Sequence, residues 1–294
     1  MIKSKCNFED FMDNLSIKDF FSFITEKLLN ICSEYRLGAK SMNKSVKTDN
    51  TLLTDADIEL QTYIVNAIRN FDKQSYIIAE ETGELNNPPL NTGKSVWIID
   101  PIDGTAQFAN PEAREYCIAL CNYQNGTPDA SLIIMPQLGF NRTPIIAEAY
   151  CAKKEIYING NIYDYAKCTL NKRVSCTRSK GLPPHPFENC LINTGYTLKT
   201  STTSQSIDLL RTACSLQDYS DLPLFKFDMF YRKKQKIWDG APGFCFNYIT
   251  GNDILDAEGK DLLPLKILQT DEYAPVNEEI YVGTADLINK IQKR

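Results

Sequence analysis

Two aspartates three residues apart, Asp100 and Asp103, close the segment Trp97-Ile98-Ile99-Asp100-Pro101-Ile102-Asp103-Gly104-Thr105, where an apolar run gives way to a proline and a glycine. Asp-Pro and Asp-Gly are common turn pairs, so the plain role of these acids is to solvate a turn or cap a following helix. The chemical alternative is that both carboxylates converge on a hard cation, with the Ile102 carbonyl as a third oxygen and Pro101 restricting the turn. Magnesium prefers such oxygen ligands. Gly104 and Thr105 would then open a short helix whose N–H groups and dipole favour an anion such as phosphate. Metal and phosphate would be neighbours.

Other acids occupy weaker settings. Glu80 and Glu81 end an apolar run, where paired acids are ordinarily solvated. Thr54-x-x-Asp57 resembles a capping box with Asp in place of the usual Glu or Gln. Asp239, in Lys236-Ile237-Trp238-Asp239-Gly240-Ala241-Pro242-Gly243, reads as a helix N-cap, and the small residues after it allow close approach by a ligand or another element. The single histidine, His185, lies in Pro183-Pro184-His185-Pro186, an expected extended surface loop. A Ser/His/Asp triad or a multi-histidine zinc site is therefore a poor fit, and any chemistry falls to carboxylates.

Elements must place these acids. Apolar residues from Ile17 to Tyr35 at helical spacing predict an amphipathic helix stopped by Gly38, and a second helix starts at Thr54 and runs through Ile68. Strands are expected at 75–79 and 96–100, each delivering acids at its C-terminal end, with a polar loop containing Asn86, Asn87, Pro88, Pro89 and Gly93 between them. Further strands at 115–123, 130–135, 145–151 and 155–158 predict an antiparallel or mixed sheet. The later half predicts helices at 203–217 and 240–250, a strand near 279–282 and a terminal helix near 284–293. Residues 1–160 and 161–294 are expected to form two closely packed halves of one functional unit, with a soft boundary at 152–165.

The chain has 294 residues, 43% hydrophobic and 23% charged, which is globular composition with a sizeable core. A net charge of -5 without a long basic block argues against a nucleic-acid polymer as partner. Ten scattered cysteines without a Cys-x-x-Cys pair or an apolar leader are read as reduced thiols in a cytoplasmic, reducing compartment. Cys117 and Cys121 are expected on one side of a strand. No apolar run reaches the roughly 18 to 20 residues of a membrane span.

Four ordered pieces, KTDNTLLTDAD (Lys47 to Asp57), AEET (Ala79 to Thr82), WIIDPIDGTAQF (Trp97 to Phe108) and KIWDGAPG (Lys236 to Gly243), resemble the lithium-sensitive inositol monophosphatase superfamily. The resemblance implies an α/β fold, a layered αβαβα sandwich of the inositol monophosphatase and sugar phosphatase type. Carried over position by position, Glu80, Asp100, the Ile102 carbonyl, Asp103 and Asp239 would hold two Mg2+ ions, and Asp57 would help place a third. Asp103, Gly104 and Thr105 would meet phosphate, and a water activated near Glu80, Thr105 and Asp57 would attack phosphorus in line. Homodimers are common in that family; no surface stripe of this sequence establishes one.

The chain also departs from the pattern. Gln107 stands where the family usually has Asn, Lys153 to Tyr157 replace a glycine-rich hairpin, and residues 194–216 contain no clear Gly-Ser or Gly-Thr substrate loop. Before Asp239 runs the basic segment Tyr231-Arg232-Lys233-Lys234-Gln235-Lys236, where an inositol monophosphatase usually places an acid. Its plain reading is a solvated loop balancing nearby acids. Its sharper reading is that Arg232 or Lys236 meets a second phosphate of the substrate. The Lys236-Ile237-Trp238-Asp239 form and the Lys47-x-Asp49 approach to Thr54 resemble the 3'(2'),5'-bisphosphate nucleotidases more than the inositol enzymes, a resemblance that implies 3'-phosphoadenosine 5'-phosphate as substrate. Inositol monophosphate or a sugar phosphate is the alternative substrate, and a catalytically silent phosphometabolite sensor is the alternative outside enzymes.

Overall fold

The computed structural model describes residue 12 and residues 15–47, 51–81, 95–167, 171–177, 183–200, 203–216, 226–265 and 276–292. The polar loop at 86–93, Asp49, Thr82 and Cys168 fall outside the described residues.

The chain opens with helix α1 (Ile17–Arg36), capped by Ser16, whose hydroxyl accepts the Asp19 N–H. A small hairpin of β1 (Lys44–Val46) and β2 (Leu52–Thr54) leads into α2 (Asp55–Phe71). A seven-stranded sheet follows, in the spatial order β3 (Tyr76–Ala79), β4 (Ser95–Asp103), β5 (Cys117–Gln124), β6 (Thr127–Met135), β7 (Ile145–Tyr150), β8 (Glu155–Ile158), β9 (Asn161–Ile162). The β3–β4 pair is parallel and the rest antiparallel. The short helix α3 (Thr105–Phe108) separates β4 from β5.

Past residue 170 the chain builds a five-stranded sheet ordered β11 (Thr197–Lys199), β10 (Arg173–Thr177), β12 (Met229–Gln235), β14 (Val276–Gly283), β13 (Asp253–Leu255). Helices α4 (Phe187–Asn193), α5 (Gln205–Ala213), α6 (Ile237–Thr250) and α7 (Ala285–Gln292) lie in the same half of the chain.

Strand alternation explains how these parts stack. Along β4, Trp97 and Ile99 face a core with Phe20, Phe21 and Ile24 of α1 and Leu60 and Ile64 of α2. Val96 and Ile98 face the opposite core, where Ile207 and Leu210 of α5 meet Trp238, Ala241 and Cys245 of α6. The far sides of the same two helices, through Leu209 and Phe244, pack on Phe230, Ile280 and Val282 of the second sheet. That sheet's outer face holds Val174, Met229 and Tyr281 against Phe187 of α4 and Ile288 of α7. The layers are therefore α1/α2, first sheet, α5/α6, second sheet, α4/α7: an αβαβα sandwich. Layers cover both faces of the first sheet at β4, which is why that strand is buried throughout and its 96–99 run is continuously apolar rather than alternating. Cys117 and Cys121 both enter the α5/α6 side, as their four-residue spacing requires.

Some elements differ from their sequence expectation. Strand β4 does not stop at Asp100; it continues through Pro101 to Asp103 by a bulge, with Asp100 opposite Ala119 and Asp103 opposite Cys117. Three residues on β4 thus span two on β5, and the proline, which has no N–H to donate, is tolerated there. Helix α6 begins at Ile237 rather than 240, so Asp239 lies inside its first turn and is not its N-cap, which is Lys236. Residues 231–235 of the basic segment lie in strand β12 and not in a loop, with Tyr231 and Arg232 buried and Lys233 exposed. His185 sits in an irregular stretch as expected, but its ring packs on Phe187 and Tyr231 and its Nε2 lies 3.6 Å from Glu279.

Candidate metal centre and active site

The β4 bulge sets the geometry of the site. In an unbroken strand, residues three apart point to opposite faces. The extra residue turns Asp103 to the side that Asp100 already faces, while Ile99 and Ile102 both enter the α1/α2 core. Asp100 and Asp103 thereby meet Asp239, delivered across the layer by the first turn of α6. One carboxylate oxygen from each of the three lies within 4.8 Å of the others. Asp100 and Asp103 are buried and Asp239 partly so.

Such crowding is reflected in the protonation of the acids. Burial, then the charges of Glu80, Asp103 and Asp239, pushes Asp100 well above the ordinary carboxylate range. Burial, followed by Asp103 and Glu80, does the same to Asp239, with Arg232 opposing. Asp103 is raised by burial to about 6 even though it accepts the Ser206 N–H at 2.7 Å and the Ser204 hydroxyl at 2.9 Å. Asp100 Oδ1 is buried and has no hydrogen-bond partner among the described residues. A cluster of hard oxygens, one of them orphaned, with charges raised against each other, is chemically suited to a divalent cation such as Mg2+.

Glu80 follows β3, and its backbone N–H donates to the Ile99 carbonyl at 3.1 Å, which brings it beside the β4 end. The Lys47 ammonium bridges it to Glu81 at 2.7 Å each. Gln61 fixes Glu81 from behind, accepting its N–H at 2.8 Å and donating to its carbonyl at 2.6 Å. Asp57, fully buried in the first turn of α2, accepts the Thr54 N–H at 2.8 Å and the Thr54 hydroxyl at 2.6 Å. Burial, with a smaller contribution from Glu80, raises it to about 6. The Thr105 hydroxyl stands between Asp57 Oδ1 at 3.3 Å and the Ile102 carbonyl at 3.1 Å, so the capping aspartate and the turn after β4 are joined.

Gly104 adopts φ of +96°, and a Cβ there would crowd the Glu115 carbonyl at 3.2 Å, so both backbone shape and space call for glycine. Behind it, the Arg36 guanidinium donates to the carbonyls of Phe108, Asn110, Pro111 and Ala113 and holds the turn down. Arg232, from β12, is buried and feels the charges of Asp239, Asp103 and Asp208. The Lys236 ammonium lies over the Trp238 ring, 5.5 Å from the centroid, and its backbone N–H serves the Asp239 carboxylate.

Several residues at the site carried at most a helix-capping signal in the sequence. Ser204, Gln205 and Ser206 open α5 and bond both Asp103 and Asp239. They occupy the stretch in which no Gly-Ser or Gly-Thr loop could be read. A cluster of the buried Asp208 and Arg211 with the partly buried Glu115 and Lys199 fastens α5 to the approach of β5, with Arg211 and Glu115 at 2.8 Å and Lys199 and Asp208 at 2.8 Å. The usable hint was Ser204 itself, an N-cap residue before an amphipathic run.

A layered αβαβα sandwich with buried aspartates gathered where its first sheet meets the central helices is an architecture shared with solved structures of the inositol monophosphatase type. The chain belongs to the inositol monophosphatase family, which it matches over residues 23–293. Among relatives, the 3'(2'),5'-bisphosphate nucleotidase CysQ of Aggregatibacter actinomycetemcomitans is 29% identical over 100 residues, spanning 34% of this chain and only 37% of that protein's length. Nus factor SuhB of Xylella fastidiosa is 21% identical over 253 residues, covering 82% of this chain and 80% of its own. A solved IMPase/NADP phosphatase in complex with NADP and Ca2+ shares the fold with a TM-score of 0.73 at 18% identity, over 94% of each chain. The same enzyme type, solved with Mg2+ and phosphate, gives 0.71 at 16% identity over 94% of each.

Proposed function

We propose that this chain is a Mg2+-dependent phosphomonoester hydrolase whose substrate carries a second anionic group, with 3'-phosphoadenosine 5'-phosphate the leading candidate. The observation that carries this reading is the convergence of Asp100, Asp103 and Asp239 within 4.8 Å, with Arg232 buried behind them. Glu80, Asp100, the Ile102 carbonyl, Asp103 and Asp239 would hold two cations, and Asp57 would help hold a third. Cations so placed would draw charge from the phosphate oxygens and make water a better nucleophile.

The protein's own groups supply the rest. Gly104 and Thr105 present backbone N–H groups toward the phosphate. The Thr105 hydroxyl, with acceptors on both sides in Asp57 and Ile102, orients a water for in-line attack, and the Glu80 and Asp57 carboxylates accept its proton. Arg232 would meet a second phosphate of the substrate, for which a guanidinium is the fitting partner. The bisphosphate nucleotidase and NADP phosphatase names of the relatives support a nucleotide substrate with more than one phosphate.

Phosphate release measured with and without Mg2+ on 3'-phosphoadenosine 5'-phosphate, NADP, inositol 1-phosphate and fructose 1,6-bisphosphate tests this. Metal-dependent release fastest from a substrate with a second phosphate is expected. Losing one charge-assisted contact corresponds to about tenfold or more, so Arg232→Met should raise KM by that factor for such substrates and much less for inositol 1-phosphate. Equal effects on all substrates would remove Arg232 from specificity. No release from any of them by folded, Mg2+-binding protein would favour the phosphometabolite-sensor reading.

A further inference from the structure

The three residues that open α5 hold two of the clustered aspartates at once. Ser204 Oγ and the Ser206 N–H both donate to Asp103 Oδ2, at 2.9 and 2.7 Å. Gln205 Nε2 donates to Asp239 Oδ2 at 2.6 Å, and Ser206 Oγ to the Asp239 carbonyl at 3.1 Å. Asp103 comes from β4 and Asp239 from α6, so the start of α5 joins acids that the chain delivers from opposite sides of the layer. Ser204 and Ser206 do this partly with groups a helix start offers anyway: Ser204 is the N-cap and accepts the Ile207 N–H at 3.2 Å. Gln205 is different. Its side chain serves no cap, is only 6% exposed, and ends against a carboxylate.

A second, independent observation concerns the other end of the same amide. Gln205 Oε1 is buried and has no hydrogen-bond partner among the described residues, a property it shares with Asp100 Oδ1. Buried acceptors are nearly always satisfied, so an orphan beside three acids marks a place where a donor is meant to arrive. Mg2+ keeps several of its waters when bound by carboxylates, and those waters are donors.

We propose that Gln205 is a positioning residue of the divalent-metal centre: its amide N–H fixes the Asp239 carboxylate against Asp103, and its Oε1 accepts a hydrogen bond from the hydration shell of the bound ion. The proposal rests on the reading of Asp100, Asp103 and Asp239 as that centre. Residues that orient metal ligands from behind typically change metal affinity by about 10–100-fold when lost.

The test is isothermal titration of the full chain with Mg2+, alongside melting of the metal-free protein, for the parent, Gln205→Met and Asp100→Asn. Gln205→Met keeps the length and buries readily. It should weaken Mg2+ binding by about 10–100-fold even where the metal-free melting temperature moves little, because the lost bond to Asp239 Oδ2 and the removed unpartnered Oε1 act on metal-free stability in opposite directions. A residue that merely braced α5 would behave the opposite way, lowering the melting temperature and leaving Mg2+ affinity unchanged; that result overturns the proposal. If Asp100→Asn abolishes binding while folded Gln205→Met stays within twofold of the parent, the metal centre stands and the role of Gln205 falls. If Asp100→Asn binds Mg2+ like the parent, the metal centre itself is wrong. Should Gln205→Met fail to fold, Gln205→Asn, which withdraws the amide by one methylene, is held to the same affinity criterion.

Discussion

At the scale of single residues, the site is a set of like charges held together against their own preference. Asp100 is the extreme case, buried, raised by Glu80, Asp103 and Asp239, and with one oxygen unpartnered. The fold tolerates it in the metal-free state by keeping the carboxyl protonated or by leaving a charge poorly solvated, and either is costly. Asp100→Asn should therefore leave the metal-free melting temperature unchanged or higher, while Mg2+ binding and phosphate release fall sharply; calorimetry and a phosphate assay read the two separately. A lower melting temperature would mean that Asp100 is structural in its own right. The acids of this site were legible because strand ends, turn pairs and caps have sequence signatures. Gln61 and Gln205 were not, since a polar side chain whose partner lies tens of residues away has no local pattern to announce it.

At the scale of elements, two local irregularities do the positioning. The β4 bulge turns Asp103 to the side of Asp100, and the close approach of α5 to α6 brings Ser204 to Ser206 onto Asp103 and Asp239. The approach depends on Gly243, where an added methyl would land on Leu209 Cβ of α5. Gly243→Ala should push the two helices apart and destabilise the protein by about 1–3 kcal/mol, the usual cost of overpacking. It should also weaken Mg2+ binding, although Gly243 touches no acid of the cluster. Thermal melting and titration of the same variant check both, and preserved affinity at lowered stability would uncouple the helix contact from the site. The small residues after Asp239 did suggest such an approach in the sequence. The bulge did not, because Asp-Pro-x-Asp-Gly reads equally well as a turn. Strand β12 was hidden by its charges: Arg232 is buried in it, but a basic run looks like surface until the strand has neighbours.

At the scale of the molecule, the stacking order of five layers could not be read from periodicity, since each strand and helix shows only that it has apolar faces and not which element covers them; resemblance supplied that order. Assembled, the layers bury several acids in one place, and this has a consequence for the whole fold. Asp57 and Asp103 are pushed to about 6 and Glu81 to about 7, in each case first by burial, and Asp100 and Asp239 stand well above the ordinary range. In the unfolded chain such groups lose their protons near pH 4. Between about pH 4 and 7 the folded state thus holds more protons than the unfolded one, and stability falls as pH rises through that window. Glu115 works the other way, held near 2 against burial by Arg211 and Lys199, but its contribution is lost only in stronger acid. His185, lowered by burial, also opposes the trend, as a single group. The metal-free protein should therefore melt at a higher temperature at pH 5 than at pH 8. Mg2+ binds the deprotonated carboxylates and competes with protons, so its stabilising effect should be larger at pH 8 than at pH 5 and should cancel the alkaline loss. Melting curves at both pH values, with and without Mg2+, check this. A metal-free melting temperature that rises with pH would mean that these acids are already ionised and solvated in the free protein, and that burial does not govern their protonation.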